Sequence, residues 1–118
     1  MLQLEGSPGN IWGVEKLSAT EPQKGDQLLM VEHPAGEPKQ VSVEDCKTLT
    51  QAVQGRGIEL DTDIGNGCDT LGGSSGSPVF NTSGDVILLH HLGKAQSGTF
   101  SDMNRGVRMV KILEVLQP

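Results

Sequence analysis

The run Gly72-Gly73-Ser74-Ser75-Gly76-Ser77-Pro78-Val79-Phe80 restricts the fold more than any other stretch of the chain, because it forces a tight glycine-hinged turn directly onto an apolar strand. Glycines at 72, 73 and 76 free the backbone to take positive φ, and Pro78 stiffens the exit into Val79-Phe80. Ser75 sits at the apex. In such a turn the N–H groups of Gly73 and Ser75 converge on one point, the arrangement that holds the oxyanion of an acyl-transfer intermediate. The bland alternative is a flexible Gly/Ser linker. The proline and apolar residues that follow argue against it.

Composition extends the same picture. The chain has 118 residues, 16 glycines and six prolines, enough for one domain. No segment approaches the roughly 18 apolar residues of a membrane span, and the short apolar runs read as a turn-rich all-β domain. The pattern predicts strands near 1–4, 12–17, 26–32, 39–45, 57–61, 77–81, 85–91 and 104–109, separated by Gly, Pro, Ser and Asn turns. Lys47 to Arg56 reads equally as loop or strand continuation. These segments fit a single six-stranded antiparallel Greek-key barrel with a leading strand. Arg108 to Leu116 carries apolar residues at helical spacing and predicts a short C-terminal helix packed on the barrel. There is no internal repeat, low-complexity tract or interdomain linker.

With its flanks included, the serine loop carries a family resemblance. Cys68-Asp69-Thr70, the GGSSGSPVFN run, the turn at Ser83-Gly84 and Asp85 to Gly93 resemble the second β-barrel of the trypsin/chymotrypsin-like serine peptidases, in particular their bacterial glutamyl-endopeptidase-like branch. Gly25 to Gln40, with its His33-Pro34-Ala35-Gly36 turn, and Asn104 to Met109 resemble the same family in the same order. The resemblance implies that Ser75 is the nucleophile and that Gly73 contributes to the oxyanion hole. A serine hydroxyl needs a base and an orienting carboxylate, which in this family lie on a first barrel upstream of the serine. Met1 to Gly9 resembles the segment just after the triad aspartate, so the resemblance places both partners outside the chain. None of the three histidines or seven aspartates lies in a matching triad motif. The expectation is a C-terminal barrel that is inactive without its N-terminal barrel.

The same resemblance points to a specificity pocket. Thr70, five residues before Ser75, and His90, fifteen after it, match positions that hydrogen-bond a glutamate side chain in glutamyl endopeptidases. A hydroxyl and an imidazole N–H are sound carboxylate donors, and protonation of the imidazole strengthens the bond. The competing reading makes Thr70 a turn residue and His90 or His91 a surface histidine. Asp69 stands where trypsin-type enzymes carry the acid that selects Arg or Lys; beside a glutamate-binding histidine it is useful only if it points away or orients the imidazole.

The remaining features narrow the class. A net charge of −6, with one Trp, two Phe and no Tyr, leaves neither a basic stripe nor a stacking surface for nucleic acid. Cys46 and Cys68 have no metal-ligand spacing with the histidines, so neither metal nor cofactor is expected. Related bacterial sequences place cysteines similarly, which implies a Cys46–Cys68 disulfide in a secreted or periplasmic protein; two buried thiols are the alternative. Three function classes follow: a serine endopeptidase barrel acting on peptide or protein substrates, a non-catalytic homologue that keeps the pocket to bind peptides, and a purely structural barrel. The face that meets a first barrel is expected to be apolar and to favour a homodimer through Met1 to Leu4 and the Ser75 loop.

Overall fold

The structure, a computed structural model, describes residues 2–94 and 103–116. It begins with a single helical turn, α1 (Gly9–Trp12), and ends with α2 (Met109–Leu116). Between them lie seven strands: β1 (Leu29–Glu32), β2 (Gln40–Ser42), β3 (Thr48–Val53), β4 (Asp63–Asn66), β5 (Pro78–Phe80), β6 (Val86–Leu92) and β7 (Asn104–Arg108). All pair antiparallel in one sheet of order β2-β1-β5-β6-β7-β4-β3. An isolated bridge joins Gln27, before β1, to Lys47, before β3, with Leu28 N–H donating to Cys46 O and Thr48 N–H to Asp26 O. Among the described residues the end strands β2 and β3 do not pair with each other, so the expected Greek-key barrel is seen as one seven-stranded sheet.

The mainly β architecture and the C-terminal helix are as expected, but the described residues form seven strands, not six. Three predicted strands are absent. Leu2 to Leu4 is unpaired, with Leu2 91% exposed, and Met1 lies outside the described residues. Residues 12–17 do not form a strand because α1 takes Trp12 and only Leu17 bridges, parallel, to Val86. The 57–61 strand gives way to a turn, and pairing starts at Asp63, where β7 offers Val107. Asp63-Ile64-Gly65-Asn66 has little intrinsic β preference; its pairing on both sides overrides propensity. The ambiguous 47–56 segment is strand β3.

Alternation on the strands builds the core. Met30 on β1, Val79 on β5 and Leu88 on β6 form one register row, all buried. Leu28, Ile64, Ile87 and the Cys46–Cys68 disulfide complete the cluster. The bridge links the lead-in of β3 to the start of the serine loop, so the loop that carries the site is anchored at its root to the core. The helix α2 packs on β6 and β7, burying Met109. Arg108, at its start, reaches Glu21 and Asp61.

Candidate active site

Two consecutive turns shape the serine loop. Ser74 N–H donates to Leu71 O at 3.2 Å, and Ser77 N–H donates to Ser74 O at 3.1 Å. The third residue of each turn is a glycine at positive φ, Gly73 at 100° and Gly76 at 91°, a conformation a Cβ opposes. Gly76 N–H then donates to His90 O and His90 N–H to Ser77 O, which ties the loop to β6. On the other side Ala35 N–H donates to Gly72 O, so the Pro34–Gly36 turn braces the loop.

This geometry separates two adjacent serines that the sequence leaves chemically equal. Ser75 is exposed, while Ser74 is buried and donates its hydroxyl to Glu32 Oε2 at 2.5 Å. No described residue accepts a hydrogen bond from the N–H of Gly73 or of Ser75, or engages the Ser75 hydroxyl. Two free donors and a free hydroxyl therefore stand together on three successive residues.

Beside Ser75 opens a cavity of about 360 Å³, lined by Asp69, Thr70, His90, Lys94 and Asn104 among others. Its polar lining is incomplete. Thr70 Oγ1 and His90 Nδ1 are buried without a hydrogen-bond partner, a costly state for groups that water would satisfy. His90 is 2% exposed, and burial holds its pKa below the ordinary 6.5; the charge of Glu32 acts upward and that of His91 downward. Asp69 is exposed, and its N–H donates to Ser42 Oγ. The structure thus brings Thr70, Asp69, Ser75 and His90 to one cavity.

Three features were invisible in the sequence. Asn104 clamps the cavity walls together, donating from Nδ2 to Cys68 O and accepting from Lys94 N–H. Glu32, on β1, reaches the serine loop from 42 residues away in sequence. Asp63, 1% exposed, pairs with His91 Nε2 at 2.5 Å across the intervening strand β7. The alternation of β6 is the one signal that foretells part of this, since it sends His90 inward and His91 to the opposite face.

One antiparallel sheet thus carries a glycine-hinged serine beside a polar cavity. Solved structures agree on the fold: the HtrA-type protease AlgW with a tripeptide (TM-score 0.74, 19% identity, 89% of this chain and 35% of that one) and a serine-to-alanine form with a decapeptide (TM-score 0.74, 18% identity, 89% and 32%). This chain spans about a third of the length of those proteases. The family model for the lysyl endopeptidase C-terminal domain matches residues 1–106, and the chain belongs to that family. Among curated proteins nothing matches significantly.

Proposed function

We propose that this chain is the nucleophile-bearing domain of a serine endopeptidase that cleaves after glutamate. Ser75 attacks the scissile carbonyl, and the N–H groups of Gly73 and Ser75 receive the oxyanion. Thr70 and His90 receive the substrate carboxylate. The observation that carries this reading is the pair of buried, unpartnered polar atoms, Thr70 Oγ1 and His90 Nδ1, lining the cavity that Ser75 borders. A carboxylate accepts from both a hydroxyl and an imidazole N–H, so one glutamate side chain satisfies both orphans. Lys94 at the rim adds a favourable charge.

The base that takes the Ser75 proton belongs, in this proposal, to a segment beyond residues 1–118, because no described residue engages the Ser75 hydroxyl. The exposed apolar stretch of Leu2, Leu4, Ile11, Trp12 and Val14 offers a surface for that segment, or for a second copy in a homodimer. The disulfide suits a secreted or periplasmic protein, and no described helix is long and apolar enough to cross a membrane.

A second reading has support from Asp69, exposed at the same cavity, and from the lysyl name of the family: cleavage after lysine, with Asp69 as counter-ion. One experiment separates the two. A form of the protein that includes the base is reacted with an organophosphonate and profiled on a peptide library. The proposal expects labelling at Ser75 and cleavage after Glu above Lys, Arg or Phe; a profile led by lysine assigns the pocket to Asp69. Residues 1–118 alone are expected to show no turnover above a Ser75→Ala control.

A further inference from the structure

The core row Met30–Val79–Leu88 crosses strands β1, β5 and β6. Two residues beyond that row β1 carries Glu32, the lead-in of β5 carries Ser77 and β6 carries His90, and His90 N–H donating to Ser77 O continues the β5–β6 pairing that far. All three are buried. The sheet therefore replaces an apolar row with a carboxylate, a hydroxyl and an imidazole at the end of its core that faces the serine loop. A buried carboxylate is expensive unless its neighbours use it. Glu32, 4% exposed, accepts from Ser74 Oγ, the residue that immediately precedes Ser75 and lies between the two free N–H groups.

We propose that Glu32 is a positioning residue of the Ser75 site, holding the Gly73–Ser75 loop through Ser74 and supplying the negative charge that lets His90 act as a cationic donor to an acidic side chain in the cavity. The second half of this role rests on the glutamate reading above; the first does not.

Two effects oppose each other at His90. Burial disfavours the imidazolium, and a glutamate side chain entering the cavity brings a negative charge that favours it. Glu32 on β1 adds to that attraction, while His91 on β6 opposes it. Asp69 and Lys94, from the two walls of the cavity, carry opposite charges. Loss of Glu32 leaves His90 harder to protonate at every step. The acidic ligand then meets a neutral ring in place of a cation, and a charge-assisted hydrogen bond becomes an ordinary one.

The isosteric Glu32→Gln removes the charge and retains an acceptor for Ser74, whereas Ser74→Ala removes the loop contact and retains the charge. Labelled protein, residues 1–118, is titrated by NMR with a blocked peptide ending in glutamate and with its glutamine counterpart, near pH 6. The His90 ring titration and the amide exchange of Gly73 to Ser75 are followed in parallel. Glu32→Gln is expected to move the His90 midpoint down by roughly one pH unit and to weaken the glutamate peptide about tenfold, with the glutamine peptide unchanged. Ser74→Ala is expected to leave the midpoint near wild type and to speed exchange in the loop. An unshifted His90 midpoint in Glu32→Gln, or an unchanged loop in Ser74→Ala, overturns the proposal. Equal binding of the two peptides by wild type overturns the glutamate reading and with it the ligand half of the role, and the loop exchange still decides the positioning half.

Discussion

Replacing Thr70 by valine tests the cavity most directly, because the two side chains have nearly the same shape and differ in the hydroxyl that lacks a partner. Burying an unsatisfied hydroxyl costs about 1–3 kcal/mol, so Thr70→Val is expected to stabilise the protein by about 1 kcal/mol. At roughly 2.1 cal/mol/K per residue, 118 residues have an unfolding entropy near 0.25 kcal/mol/K, which converts that gain to a rise in Tm of about 4 °C. The same change removes a donor to a charged group, worth about 1.5–3 kcal/mol, so affinity for a peptide ending in glutamate falls by roughly 10- to 150-fold. Differential scanning calorimetry and calorimetric peptide titration read the two effects. Stability and recognition move in opposite directions only if the hydroxyl is held unpaired for a ligand. A variant that melts lower than wild type, or that binds the glutamate peptide as tightly as wild type does, refutes the reasoning.

Three further outcomes follow from the same geometry. The Cys46–Cys68 bridge spans 22 residues, so unfolding in denaturant with a reductant present is expected to give a stability lower by about 3 kcal/mol; a difference under about 1 kcal/mol contradicts the anchoring role. Asp63→Asn breaks the pair between a fully buried carboxylate and a quarter-exposed His91, and is expected to cost about 2 kcal/mol in urea titration, below the full buried-pair penalty because solvent reaches the imidazole. His90 has a lowered folded-state pKa, so the unfolded chain binds its proton first: its contribution to stability is complete above about pH 6.5 and is lost as pH falls below that value toward the folded pKa. Urea unfolding at pH 7.5 and 5.5 is therefore expected to show a smaller loss for His90→Gln than for wild type, and an equal loss in both removes His90 as the cause.

The serine loop was legible in the sequence because its constraint is local. Glycine at positive φ and proline at a strand entry are preferences of single residues, so Gly73, Gly76 and Pro78 announce the turn before any tertiary contact exists. The helix α2 was legible for a similar reason, since its apolar period repeats within eight residues. The strands at 1–4, 12–17 and 57–61 were misread because alternation marks a segment able to pair, while pairing depends on a neighbour elsewhere in the chain; Asp63–Asn66 is a strand only because β3 and β7 flank it. Spacing from Ser75 picked out Thr70 and His90, but whether their polar atoms were left unpaired was a matter of packing. The roles of Glu32, Asp63 and Asn104 were decided by the tertiary structure alone. Each acts across a gap of dozens of residues, and a carboxylate or amide acquires its chemistry from the partner that folding places against it.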